Sequence, residues 1–140
     1  MKRTTTTFAA LVLAQAAHSI EETAGRLWES FPPARFLTGL LSTDREMAFI
    51  AVNVAIVAFG VWCLFWPVRR EWRSAVAVMW GWVAVEAING FGHSAWSLLR
   101  GGYTPGVLTA PVLLVVAIYL GGQLSRSGRS SIKNPGVHHE

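Results

Sequence analysis

Charged residues are scarce in this sequence: 14% of its 140 residues are Asp, Glu, Lys or Arg, whereas 52% are hydrophobic. A soluble domain normally has about 25% charged residues, so the composition argues against a soluble fold. The single cysteine, Cys63, excludes an intramolecular disulfide and leaves the redox compartment unassigned. The arginines form no basic face interleaved with aromatic residues, which argues against nucleic-acid binding.

What the sequence does contain is a series of long apolar stretches between charged segments. A helix needs roughly 20 apolar residues to cross the hydrocarbon core of a bilayer, and the stretches are about that long. They predict transmembrane helices at about residues 5–25, 46–66, 74–99 and 105–123. The predicted fold is therefore all-α, an integral membrane four-helix bundle over residues 1–124 with a flexible polar tail at residues 125–140.

The first of these spans is the least apolar, because a short run, FAALVLA, is followed by polar and acidic side chains. Lys2 and Arg3, this run and an A-x-A pattern at residues 14–16 together also fit a cleaved secretory signal peptide. Cleavage would leave three helices whose carboxylates lack a fourth wall. We therefore favour a retained span over a cleaved one.

Lysine and arginine set the expected orientation of the chain. With the N-terminus in the cytoplasm, the inner segments hold eight of these residues and the outer segments hold four. Because cytoplasmic loops are enriched in Lys and Arg, both termini are predicted to be cytoplasmic. We expect a multi-pass protein of a bacterial inner (plasma) membrane, with the lipid bilayer as its partner and with homo-oligomerisation compatible with so short a chain.

Several ionisable residues fall inside the predicted spans, where they are costly unless they face the interior, pair or take part in chemistry. At helical spacing they form two stripes. These stripes are Gln15, His18 and Glu22 on the first helix, with Glu21 beside them, and Glu86, Asn89 and His93 on the third. Burying so many charged groups in one layer costs more free energy than hydrogen bonds between helices would offset. The stripes therefore predict a functional site.

The depth of these residues can be counted from the outer helix ends at about 1.5 Å per residue. His18 then lies roughly 12 Å deep, and Asn53 and His93 lie roughly 10 Å deep. Glu21 and Glu22 lie above this layer, and Asn89 and Glu86 lie below it. The sequence therefore predicts a polar column that opens towards the outer face, beneath a loop at residues 26–45 that covers its mouth.

The segment His18 to Glu22 reads HSIEE, which resembles the signature of the HXXEE family of small integral membrane proteins. EAINGFGH at residues 86–93 is similar to the family's second polar cluster, and YTPG at residues 103–106, followed by Thr109, is similar to its later Y-x-P-G motif. The likeness extends from Thr5 to about Leu120. It implies a suspected metal-binding enzyme, without a reaction common to the family.

Two imidazoles and neighbouring carboxylates on facing helices are a donor set for zinc or iron. The predicted metal ligands are His18, Glu22, Glu86 and His93. One ion is the simplest arrangement, and a di-iron centre is a second possibility. Such an ion would activate water or oxygen against a small hydrophobic or lipid-like substrate. The predicted catalytic residues are Glu21, Glu22, Glu86, Asn89, Asn53 and Tyr103.

Other functions remain open at this stage. The same Glu and His residues could act without a metal as general acid and base, in an isomerase, a cyclase or an epoxide-opening enzyme. Facing histidines could also ligate haem, although acidic neighbours fit poorly with an apolar haem slot. A proton-coupled carrier would explain buried acids, but four helices without an internal repeat leave little room for a gated path. Asn53 alone is better explained as a contact between helices, and Tyr103 either anchors at the interface or covers the site.

Overall fold

The computed structural model describes residues 2–133, with side chains as far as residue 127. Residues 134–140 of the predicted tail lie outside this range. The described residues are helical and contain no strand. The helices are α1 (Lys2–Ala24), α2 (Leu27–Ser30), α3 (Pro32–Leu41), α4 (Arg45–Cys63) with a π-helical continuation (Leu64–Val68), α5 (Ala75–Arg100) and α6 (Ala110–Lys133).

Three segments among the described residues are long and apolar enough to cross a membrane. They are Arg45–Val68, Ala75–Arg100 and Ala110–Ser127, in which the mean hydropathy over 18 residues reaches 2.4, 1.3 and 1.3. These lengths and compositions indicate a helical membrane protein. The helix α1 is not among the three, because polar side chains in its first two turns and in its second half lower its hydropathy.

The long helices pack side by side, with α1 between α4 and α6. This helix contacts both α4 and α6, and α6 makes the most extensive contact of the fold with α5. The completely buried side chains Phe8 and Leu11 of α1 meet Met79 of α5 and Leu113 and Leu120 of α6 in one apolar cluster. In contrast, α4 and α5 make few direct contacts, and α5 meets the π-helical segment instead.

Local sequence explains where α4 begins and why its end changes geometry. The Asp44 side chain accepts a hydrogen bond from the Met47 backbone N–H at 3.0 Å, which satisfies an otherwise free donor in the first turn. Near the other end, Pro67 lacks an N–H and lies inside the π-helical turn, which is followed by a bond from Arg69 N–H to the Leu64 carbonyl at 3.0 Å. The apolar segment therefore continues to Val68, two residues past the predicted boundary.

The structure differs from the sequence-based boundaries in three places. The predicted loop at residues 26–45 contains α2 and α3, because Pro32 at the first helical position favours a helix start. The last helix begins at Ala110 rather than near Pro105, since residues 104–109 form turns. It also continues into the predicted tail, where the Ser125 and Ser127 hydroxyls donate to the carbonyls of Gly121 and Gln123 and are satisfied within the helix.

Candidate metal centre

His18, Glu22 and His93 form a compact buried cluster between α1 and α5. One carboxylate oxygen, Glu22 Oε1, lies 3.0 Å from His93 Nε2 and 3.4 Å from His18 Nε2. The two imidazole rings are nearly perpendicular, and their centroids lie 4.8 Å apart. The two histidines therefore lie in one layer, as the count of helical rise predicted. All three side chains are buried, and that of His18 is completely so.

The other nitrogen of each ring is bonded in a way that fixes its proton. His93 Nδ1 donates to the Pro105 carbonyl at 2.8 Å, because a carbonyl oxygen can only accept. The Thr109 hydroxyl donates to Glu21 Oε2 at 2.6 Å, so its oxygen is free to accept from His18 Nδ1 at 2.7 Å. In neutral imidazoles with these tautomers, both Nε2 atoms carry lone pairs directed at the cluster.

Three electron-pair donors therefore converge on one small volume. The three ligand atoms all lie within 4.8 Å of one another, and tetrahedral zinc with bonds of about 2.0–2.1 Å requires ligand atoms about 3.4 Å apart. The contact of His18 Nε2 with Glu22 lacks hydrogen-bond geometry, so this buried nitrogen has no hydrogen-bond partner. A cation in the cluster would remove the repulsion between these lone pairs.

The two adjacent glutamates of the motif point to different places. Glu21 lies outside the cluster and accepts from the backbone N–H groups of Leu108 and Thr109 at 3.0 and 2.9 Å, and from the Thr109 hydroxyl. The Tyr103 hydroxyl also donates to it at 3.3 Å. Partial desolvation and the neighbouring carboxylate raise the pKa of the Tyr103 phenol. Glu21 thus fastens the turn before α6 onto α1, whereas Glu22 faces the histidines.

Gly106 lies at the closest point between this turn and the two imidazoles. Its φ of +92° is a conformation that residues with a side chain rarely adopt, and a Cβ here would lie 2.7 Å from His93 Nδ1 and 2.8 Å from His18 Cε1. The turn can approach both rings only because position 106 has no side chain.

We expect Gly106→Ala to lower the free energy of unfolding by about 2–3 kcal/mol through backbone strain and displacement of the rings. Thermal unfolding in detergent, followed by loss of near-ultraviolet circular dichroism, measures this change. Gly92→Ala in α5 is the matched control, because no atom lies within 4 Å of its added Cβ. Equal melting temperatures for the two variants would contradict the proposed close approach.

The remaining predicted site residues are distributed around the cluster rather than within it. Glu86 is buried deeper on α5 and belongs to no metal-compatible group among the described residues. Asn53 donates to the Phe49 carbonyl at 3.2 Å, an intrahelical bond within α4. Asn53 and Asn89 line a cavity that also reaches Glu22 and His93. Tyr103 is 62% exposed and bonds to Glu21.

The cavity that reaches Glu22 and His93 has a volume of about 450 Å³, and α3 covers one side of it. One face of that helix, with Ala34, Leu37, Thr38 and Leu41 at helical spacing, lines it. Phe31, just before α3, packs against Trp96 with ring centroids 4.7 Å apart and planes tilted by 47°, and its centroid lies 6.0 Å from that of the His93 ring. The segment that was expected to cover the mouth of the site therefore lies over it.

The residues that sequence reasoning did not assign all belong to the turn before α6. Thr109, Gly106 and the Pro105 carbonyl position the two imidazoles, and none was predicted to take part in the site. The contacts of a backbone carbonyl cannot be predicted from the type of residue that carries it. The signal that could have found them was the motif YTPG followed by Thr109, because it places a turn-forming glycine and a hydroxyl close together.

The comparison with known families concerns the motif formed by His18 to Glu22 on α1. Residues 9–120 match the family described as "Protein of unknown function with HXXEE motif". The chain belongs to this family. No curated protein and no solved structure matches the chain. Within this HXXEE chain, the first and last residues of the motif are the ones that meet His93, and the fourth residue holds the turn before α6.

Proposed function

We propose that the chain is a membrane-embedded four-helix bundle with both termini in the cytoplasm, in which α1 is the fourth span. The outward face of α1 beyond its first two turns supports this span, because the exposed residues from Ala10 onward are all apolar while Gln15, His18 and Glu22 are buried. The exposed positions are Ala10, Leu13, Ala17, Ile20 and Ala24. A helix with its polar side inside and its apolar side outside suits lipid better than water.

We infer that His18, Glu22 and His93 bind one divalent metal ion, zinc or iron, in the outer half of this bundle. The observation that carries the inference is the convergence of both Nε2 atoms on Glu22 while both Nδ1–H groups are held by fixed acceptors. Metal-ligating histidines characteristically donate their second N–H to a carbonyl or another oxygen in this way.

Three protein ligands leave a coordination position free, which is the usual arrangement of catalytic metal sites. When bound, such an ion lowers the pKa of a coordinated water or polarises a substrate oxygen. The adjacent cavity, which is mostly apolar, exposes Glu22 and His93 to a ligand from the membrane. We therefore propose a metal-dependent enzyme, a hydrolase or an oxidoreductase, that acts on a small hydrophobic or lipid-like substrate.

Metal analysis of the detergent-purified chain tests this proposal. After equilibration with zinc or ferrous iron and gel filtration, we expect about one ion per wild-type chain and less than a tenth of that in His93→Ala, because one of three ligands is gone. Glu86→Gln is the control, since this carboxyl lies outside the cluster, and it should retain the ion. A wild-type chain without bound metal under these conditions would overturn the proposal.

A metal-free acid-base enzyme is the second candidate, and the 3.0 Å contact between Glu22 and His93 favours it. If one imidazole is protonated, the same three groups form a His-Glu-His relay that can deliver a proton and take one back. This candidate predicts an activity that persists in full after chelation. The direct contact of Glu22 with both rings leaves no space between them for a haem.

A further inference from the structure

The packing of the helices leaves a cleft between α4 and α5. These two helices are joined through α1, α6 and the π-helical segment but make few contacts with each other. The side chains along the cleft are apolar and exposed, including Val52, Phe59 and Ile88. In a bilayer such a rim opens sideways to lipid, so a molecule that enters the cleft arrives from the hydrocarbon phase.

Two cavities occupy this cleft, one above the other. The upper cavity, of about 450 Å³, reaches Glu22 and His93, and the lower one, of about 380 Å³, reaches Glu86 and Trp82. Ile56 and Val85 line both, so the cavities adjoin. The cleft therefore offers a mostly apolar space with Glu86 at its lower end and Glu22 and His93 at its upper end.

The polar group of the lower cavity is an unsatisfied carboxyl. Glu86 is 1% exposed, and its Oε2 atom has no hydrogen-bond partner, although Asn89 lies beside the carboxyl one turn away. A buried polar atom without a partner destabilises the folded chain. A buried polar atom without a partner in a native protein requires an explanation, and a bound ligand that completes it is one. The other residues that line this cavity are apolar apart from the Trp82 indole and offer Glu86 no acceptor.

A hydroxyl group is the partner that suits this carboxyl in either protonation state. A carboxylate needs a donor and a protonated carboxyl also needs an acceptor, and an alcohol provides both on one oxygen. Resting on the proposed function for the upper end of the cleft, we propose that it binds an apolar alcohol whose hydroxyl bonds to Glu86 and whose hydrocarbon body extends towards His93.

The spacing on α5 sets the geometry of such a ligand. Glu86 and His93 are seven residues apart, which corresponds to about 10 Å along the helix axis. A ligand anchored at Glu86 therefore presents to the metal centre a carbon roughly 10 Å from its hydroxyl. Glu86 thus acts as a positioning residue that selects which part of the chain reaches the metal.

Tryptophan quenching in lipid nanodiscs tests this proposal. Trp82 lines the same cavity as Glu86, so dodecan-1-ol brominated at carbon 2 should quench the fluorescence that disappears in Trp82→Phe. We expect 2-bromododecane, at equal mole fraction in the lipid, to bind about tenfold more weakly because it lacks the hydroxyl. Glu86→Leu should reduce alcohol binding to the level of the alkane, and Glu86→Gln, which keeps a donor and an acceptor, should restore it.

Two further variants separate this proposal from the metal proposal and from misfolding. His93→Ala should lose the ion and still bind the alcohol, whereas Glu86→Leu should keep the ion. Ile56→Phe narrows the cleft without adding a polar group or a tryptophan, and it should strongly reduce quenching. Glu29→Leu, which removes a carboxylate outside both cavities, should change nothing. Equal binding of alcohol and alkane, tighter binding of a bromododecylamine, or unchanged quenching in Glu86→Leu would each overturn the proposal.

Discussion

Glu22→Gln is expected to weaken metal binding by more than about 100-fold, because it removes the single anionic ligand that contacts both imidazoles. Glu21→Gln, one residue away, should reduce it far less. Its carboxylate accepts four hydrogen bonds from the turn before α6 and touches neither Nε2 atom. Competition with a chromophoric zinc chelator measures the affinities of both variants.

The Glu21 variant should show its effect elsewhere. An amide retains one acceptor oxygen and directs an NH₂ group at donors, so we expect unfolding to become easier by about 1–3 kcal/mol. The amide protons of Leu108 and Thr109 should exchange faster with deuterium, since the bonds to Glu21 protect them in the wild type. Equal losses of metal affinity in the two variants would contradict the division of roles within the motif.

The general architecture of the site could be read from the sequence because membrane burial makes ionisable residues conspicuous. His18 and His93 were placed in one layer by helical rise alone, and their rings lie 4.8 Å apart. Helical spacing also put Glu22, and not Glu21, in the stripe with Gln15 and His18, since adjacent residues on a helix differ by 100° in direction. The partners of Glu21 could not be predicted in this way, because they depend on the packing of α1 against the turn before α6, which is a tertiary property.

The position of Glu86 shows a second limit of predicting side-chain contacts from helical spacing. Its stripe on α5 suggested that it would join His93 at the metal, but two turns separate the two side chains. Only a bend in the helix or a long-reaching ligand would bring them together. The structure places Glu86 in the lower cavity instead, and this separation is what makes an elongated ligand a better explanation of the cleft than a compact one.

The turn before α6 was the least predictable part of the site, because its contribution is made by a carbonyl, a glycine and a hydroxyl. The apolar pattern predicts that the fourth helix begins near Pro105. In the structure, hydrogen bonds to Glu21 and to the imidazoles instead hold residues 104–109 in turns. A short polar turn over a buried cluster of His and Glu side chains is stabilised by its contacts with that cluster. Local propensity therefore does not determine its conformation.

Thr109→Val should weaken metal binding by about 10- to 100-fold, as the loss of a group that orients a ligating imidazole usually does. Valine has nearly the shape of threonine, but it offers no oxygen to His18 Nδ1 and no proton to Glu21 Oε2. The His18 ring is then free to adopt the other tautomer, in which its Nε2 carries the proton and cannot bind a metal.

Thr109→Ser is the matched control, because it keeps the hydroxyl and should retain an affinity within about threefold of the wild type. Nitrogen-15 chemical shifts of the imidazoles report the tautomer directly, so Thr109→Val should change the His18 signals and leave those of His93, whose acceptor is the Pro105 carbonyl. A valine variant with wild-type affinity and unchanged His18 signals would show that the hydroxyl does not position this ligand. The contrast between the two histidines tests this role, since only His18 has a side chain as the partner of its Nδ1.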